Sequence, residues 1–213
     1  MQTIKIIVAD DHEIVRAGLR AMLSLEPGME VLGEVSNGRE AVEMVRTLKP
    51  DVVVMDIRMP ELNGIDAARE AVAAHPPVKV VGLSADPDES LAVELLRAGA
   101  KGFVRKDAPY RELVGAIQAA VGNNIYCKAS VIAQMTQHQA VRNQMSVFAV
   151  LTFRERQLLQ LIAEGNSTKQ IASQLKVSIK TVETHRKNLM AKLEIDNVAE
   201  LTKYAVRTGL TPL

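Results

Sequence analysis

Through its first 121 residues the chain alternates short β-branched runs with longer segments of helical period, an order that few folds accommodate. Runs at 4–9, 30–35, 51–55, 79–83 and 102–104 read as strands. Between them, Val15, Leu19, Met22 and Leu23 recur at helical spacing, as do Ala41, Val42, Val45 and Leu48, with Leu91, Val93, Leu95 and Leu96 less regular. A last helix at 109–121 starts on Pro109 and stops before Gly122-Asn123-Asn124. This order, with nearly continuous apolar central strands, predicts an α/β unit whose parallel sheet is doubly wound, with helices on both faces. Right-handed crossovers then bring every strand's carboxyl end to one edge, where open sheets of this kind bind ligands.

That edge is where the chemistry-bearing residues fall. Asp10 and Asp11 follow the first strand and Asp56 follows the third. Three converging carboxylates repel one another unless a cation neutralises them, and an all-oxygen set with room for water suits Mg²⁺. One carboxylate can then serve as a nucleophile toward phosphorus. Ser84 and Lys106 end the fourth and fifth strands with a hydroxyl and an ammonium able to bind phosphoryl oxygens. A lone aspartate after a strand is more often a helix cap than a functional group, whereas five suitable residues at four strand ends form a pattern.

Beyond residue 121 the composition changes. Residues 1–121 hold 14 Lys+Arg against 19 Asp+Glu, for −5; residues 122–213 hold 12 against 6, for +6, which together give the chain's +1. Residues 122–150 read as a partly helical linker, with Val131, Ile132 and Met135 on one short amphipathic stretch. From 151 to 213 the pattern is wholly helical. Capping-box signatures at Thr152-Phe153-Arg154-Glu155 and Ser167-Thr168-Lys169-Gln170, a looser one at Asn197-Val198-Ala199-Glu200, and Ser178 as a further cap predict four helices at 153–164, 168–175, 179–193 and 198–208. The third would bury Val182, Leu189 and Leu193 and present Lys180, Glu183, Thr184, Lys187 and Ala191 outward. Such a stripe is often just a solvated face, but small and charged residues at that spacing also suit a DNA major groove, and the excess of positive charge fits a polyanion.

A hydrophobic fraction of 47% and a charged fraction of 24% describe an ordinary globular chain. No apolar run approaches the roughly 20 residues that span a bilayer, and the expected location is the cytoplasm, with no membrane partner. The single cysteine, Cys127, can form no internal disulfide and has no metal-ligand companions.

Residues 4–121 closely resemble the receiver domains of two-component response regulators, which have a flavodoxin-like fold. The matching motifs are Val8-Ala9-Asp10-Asp11-His12, Val54-Met55-Asp56-Ile57-Arg58-Met59-Pro60, Gly64, Leu83-Ser84-Ala85 and Gly99-Ala100-Lys101-Gly102-Phe103-Val104-Arg105-Lys106. The resemblance implies that Asp56 accepts a phosphoryl group from a sensor histidine kinase. It also implies that Asp10, Asp11, Asp56 and the backbone carbonyl of Arg58 surround Mg²⁺, and that Ser84 and Lys106 hold the phosphoryl oxygens. Phe103 takes the position of the family's switch aromatic, and Arg58 and Asp86 stand where relatives tune phosphate hydrolysis. Asp107 replaces the proline that follows the lysine in many receivers. His12 is expected at the surface, at a helix start.

Residues 151–210 resemble the LuxR-type helix-turn-helix of the NarL/FixJ class through Leu151-Thr152-Phe153-Arg154-Glu155-Arg156, Ala163-Glu164-Gly165, Lys169-Gln170-Ile171-Ala172 and the run from Ser178 to Arg186. By that resemblance Glu183, Thr184 and Lys187 approach bases, and Lys180, Thr181, His185 and Arg186 approach phosphates. Val198, Leu201, Ala205 and nearby Tyr204 form a stripe assigned to a dimer contact through its outward members, packing on their own unit being an equal alternative for some of them. Lys176 departs from the glycine that many relatives carry in the turn. The implied protein is a transcription regulator whose DNA binding is switched by phosphorylation. Its partners would be promoter DNA, a second copy when phosphorylated or DNA-bound, and RNA polymerase. It would be no enzyme beyond its own aspartyl phosphorylation and dephosphorylation. Two alternatives are a receiver that binds partners without phosphorylation and a metal-dependent phosphohydrolase. Against the latter, Asp56-Ile57-Arg58 offers no second acid.

Overall fold

The structure is a computed structural model that describes residues 3–86, 88–137 and 147–211. The chain divides into two compact units, Met1–Asn143 and Gln144–Leu213.

In the first unit five parallel strands, β1 (Ile4–Ala9), β2 (Met29–Val35), β3 (Val52–Asp56), β4 (Lys79–Ser84) and β5 (Gly102–Arg105), lie in the order β2-β1-β3-β4-β5. They alternate with α1 (Glu13–Leu25), α2 (Gly38–Leu48), α3 (Gly64–Ala74), α4 (Glu89–Arg97) and α5 (Tyr110–Val121). All five residues of β3 are buried, as a central strand covered on both faces requires. The strand order reverses between β1 and β3, so the crevice beyond their carboxyl ends is the natural ligand site, and Asp10 and Asp56 lie there.

Local chemistry starts the helices where the sequence indicates. The side chains of Asn37, Asn63 and Asp88 accept from the backbone N–H groups of Glu40, Asp66 and Ser90 at 2.8, 2.9 and 2.8 Å. Pro109 serves as the cap of α5, one residue outside the expected helix start. Gly64 shows why the loop after β3 needs a residue without a side chain. A Cβ there would fall 1.9 Å from the Asp56 carbonyl oxygen, while the Gly64 N–H donates to the Ile57 carbonyl at 2.7 Å. The loop is thereby clamped onto the backbone that carries Asp56.

The stretch expected as a linker contributes to both units. Tyr126 forms an isolated parallel bridge with Gly102, donating to the Lys101 carbonyl and accepting from the Phe103 N–H, both at 2.8 Å. A short helix, α6 (Ala129–Gln137), then packs on α4 with Val131 buried, and Lys128 lies 3.8 Å from Glu89. Residues 138–146 of that stretch lie outside the described residues. On the far side, α7 (Val147–Val150) places Val147 in the core of the second unit.

Four further helices complete that unit: α8 (Phe153–Ala163), α9 (Thr168–Leu175), α10 (Ile179–Leu193) and α11 (Val198–Arg207). The boxes at Thr152/Glu155 and Ser167/Gln170 are complete, and Asn197 makes the single bond from its side chain to the Glu200 N–H at 2.9 Å. Lys176 closes α9 in the left-handed region at φ 55°, so the departure from glycine noted in the sequence falls on a strained turn residue. One expectation is corrected here. Leu201 and Ala205, assigned to an outward dimer stripe, have no exposure and belong to the core that Leu158, Leu189 and Leu210 share. Their inward packing closes α11 onto α8, leaving exposed Val198 and half-buried Tyr204 from that stripe.

Candidate functional site

At the carboxyl edge of the sheet the structure brings together Asp10, Asp11, Asp56, Ser84 and Lys106. The Lys106 ammonium nitrogen lies 2.7 Å from Asp10 Oδ2 and 2.8 Å from Asp56 Oδ2. It is held there because its backbone N–H donates to the Ser84 carbonyl at 2.8 Å, which ties the ends of β4 and β5 together. Ser84 is buried, and its hydroxyl oxygen accepts from the Asp86 N–H at 3.0 Å. Burial pushes the Asp56 carboxyl up from 3.8 to about 6, against the opposing pull of Lys106. Burial alone would lower the Lys106 ammonium, but Asp56 and Asp10 outweigh it and hold the group above its ordinary value. One ammonium thus serves two acids, and the burial of Asp56 outweighs its share of that positive charge.

Asp10, Asp11, His12 and Asp56 each offer a ligand atom, all within 4.8 Å of one another. Asp10 Oδ2 and Asp11 Oδ1 are buried and accept no hydrogen bond among the described residues; their close neighbours are Lys106 Nζ and, at 2.7 Å, His12 Nδ1. A buried, under-satisfied set of carboxylate oxygens fits a hard divalent cation such as Mg²⁺. His12 is largely exposed and stands immediately before α1 without a side-chain capping bond, at the helix start where it was expected.

One supporting residue, Arg16, had no role in the sequence reading. Arg16 donates to the Asp10 carbonyl at 2.7 Å and fixes the turn that aims Asp10. The Arg58 guanidinium pairs with the Asp86 carboxylate beside the site, joining the two positions that the family resemblance associates with phosphate hydrolysis. Phe103 is buried on β5, with its backbone bonded to Tyr126.

In the second unit, α10 begins at Ser178, whose hydroxyl accepts from the Thr181 N–H at 3.0 Å. Val182 and Leu189 are buried and Leu193 is half-buried, while Lys180, Glu183, Thr184, His185, Lys187 and Ala191 are exposed; Thr181 and Arg186 lie at the margin. The Thr184 hydroxyl donates to the Lys180 carbonyl at 3.0 Å, leaving its oxygen to accept. An exposed helix bearing lysines and one carboxylate, set at a tight corner after α9, has the chemistry of a groove-reading element.

Residues 6–118 match the family model described as the response regulator receiver domain, and residues 149–205 that of the bacterial regulatory proteins of the luxR family. The chain belongs to the two-component response regulators. Response regulator UvrY of Escherichia coli (strain K12) is 36% identical over 208 residues, covering 97% of this chain and 95% of its own. Among solved structures, RcsB of Salmonella typhimurium, described in terms of conformational dynamism for DNA interaction, is 26% identical with a TM-score of 0.68, covering 98% of this chain and 99% of its own. Another RcsB structure, of two dimers bound to two parallel DNAs, is 26% identical with a TM-score of 0.58, covering 95% and 98%. This regulator is therefore a DNA-binding response regulator of the NarL/FixJ type, with a receiver fold followed by a helical DNA-binding unit. No described helix is long and apolar enough to cross a membrane.

Proposed function

We propose that Asp56 accepts a phosphoryl group from a sensor histidine kinase in the cytoplasm and that this modification switches binding to promoter DNA. The observation that carries the reading is the shared placement of Lys106 Nζ against Asp56 and Asp10 where β1, β3 and β5 end. A carboxylate oxygen of Asp56 attacks phosphorus, the bond to the kinase histidine breaks, and an acyl phosphate forms. Asp10, Asp11, Asp56 and the Arg58 backbone carbonyl are the groups that would hold Mg²⁺, which supplies positive charge against the phosphoryl oxygens. Lys106 and the Ser84 hydroxyl bind those oxygens. Drawing Ser84 toward them frees space for the already buried Phe103 ring to shift further inward, and the β5 backbone carries that change to Tyr126. The chemistry is confined to the regulator's own aspartyl phosphate.

On the DNA side, Glu183, Thr184 and Lys187 read bases, while Lys180, Thr181, His185 and Arg186 contact phosphates. The RcsB dimers on DNA support a two-fold arrangement, with RNA polymerase as a further partner at the promoter. Incorporation of hydroxylamine-sensitive phosphate from a small phosphodonor tests the first half of the reading. Asp56→Asn should abolish it, and undiminished labelling of that variant would overturn the assignment.

A further inference from the structure

The corner that leads into α10 carries positive charge that its own unit leaves unpaired. From Gly165 to Val182 the chain holds Lys169, Lys176 and Lys180 and no acidic residue. At the other end of α10, Lys192 is tied within the unit to Glu155 at 2.8 Å. Lys176 differs from it: the residue is exposed, and no described residue forms an ion pair or a side-chain hydrogen bond with its ammonium. Helix α10 offers it no carboxylate in its first turn.

The backbone makes lysine an unfavourable choice at this position. Lys176 ends α9 at φ 55° and ψ 45°, with its N–H bonded to the Ser173 carbonyl at 3.2 Å. Glycine enters that region without strain and asparagine with little, whereas a long aliphatic stem brings the Cβ penalty and no local hydrogen bond in return. An ammonium that only keeps the surface solvated needs no such backbone, since the exposed positions of α9 carry it without strain. Here it is held two residues before Ser178, the cap of α10, and four before Lys180. A cation beside the start of a groove-entering helix lies toward the rim of that groove, where the phosphates stand.

We propose that Lys176 is a further phosphate-contacting residue of the DNA interface, its ammonium anchoring the corner between α9 and α10 on a phosphate of the duplex backbone. The inference rests on the reading of α10 as the helix that enters the groove. A lysine ammonium is a point charge with three donors, so it adds affinity on every sequence and no choice among bases. Arginine keeps that charge at the same position, and asparagine keeps only the backbone conformation.

The test uses the full chain with Mg²⁺ and beryllofluoride, a duplex selected by the parent chain from a random-sequence pool, and an unrelated duplex of equal length. Lys176→Asn and Lys176→Gly should each bind both duplexes about three- to tenfold more weakly and lower the slope of log affinity against log salt by about 1. Lys176→Arg should keep the parent's affinity and slope. Lys49→Gly, which removes another left-handed lysine at the end of α2, should change neither. When single phosphates of the selected duplex are replaced by neutral methylphosphonates, one replacement should weaken the parent and leave Lys176→Asn no weaker than before. Parent-like affinity and salt slope in Lys176→Asn overturn the proposal. So does a loss confined to the selected duplex, which would mean base reading, or a loss in Lys176→Gly alone, which would mean corner stiffness. If the Lys176 variants match the parent while Lys187→Ala binds weakly, this contact falls and the reading of α10 stands. If Lys187→Ala also binds like the parent, that reading fails with it.

Discussion

Lys106 Nζ stands 2.8 Å from Asp56 Oδ2, a 50-residue separation in sequence closed by the adjacent ends of β3, β4 and β5. Because the same ammonium also reaches Asp10, removing it leaves two buried carboxyls without their shared counter-charge. Lys106→Met should therefore raise the Asp56 carboxyl above its value of about 6 and destabilise the metal-free unit at pH 8 by about 3 kcal/mol. Carboxyl NMR titration and urea unfolding check both effects. An unchanged Asp56 titration would show that the lysine exerts no field on it.

A second consequence follows from the direction of the Asp56 shift. Below 3.8 the carboxyl is protonated in both folded and unfolded chains and costs nothing. As pH rises toward about 6 the unfolded chain ionises first, so stability is lost across that window and the cost is complete above it. In chelator, Asp56→Asn should be more stable than the parent above pH 6, by up to about 3 kcal/mol, and the two should converge near pH 4. Mg²⁺ should stabilise the parent and shrink the gap. A gap that widens on acidification would contradict the burial of this carboxyl.

Much of the site was legible because its residues sit at boundaries between strand period and loop, where sequence pattern is strongest. Asp10, Asp56, Ser84 and Lys106 each follow or end a β-branched run, and parallel topology places such ends together. The Tyr126 bridge was not legible, since a single backbone pairing leaves no periodic trace. Nor was the orientation of α11 clear. Val198, Leu201 and Ala205 share helical spacing, and only the fold decides that the last two turn inward. On α1 Leu23 was placed in the core, whereas Met22, grouped with it by helical spacing, is exposed.

Strain in the turn before α10 yields a third expectation. Lys176 adopts φ 55° and ψ 45°, which a Cβ disfavours and glycine tolerates. Lys176→Gly should stabilise the second unit by about 1 kcal/mol, the relief of left-handed strain exceeding the entropy that glycine adds to the unfolded chain. Thermal unfolding of the full chain, followed through the second unit's transition, measures it. A loss of stability would mean that the lysine side chain makes a compensating contribution.

The last prediction separates two functions on one helix face. Glu183 and Lys187 are both exposed and lie one turn apart on α10, but they face the phosphate field with opposite sign. Lys187→Ala should weaken specific binding and reduce the slope of log affinity against log salt by about 1 if its ammonium displaces one counterion. Glu183→Ala removes a charge that DNA repels, so overall affinity should change little or rise. What it loses is discrimination, because a carboxylate in the major groove accepts from cytosine and penalises bases that offer only acceptors. Binding measured on a preferred duplex and on single-base variants, at matched salt, therefore has two signatures. Lys187→Ala should lower affinity on every duplex, whereas Glu183→Ala should flatten the differences between duplexes by about 1–3 kcal/mol at one position. Equal losses on every duplex for Glu183→Ala would remove base reading from this residue and leave α10 as a docking element held by charge alone.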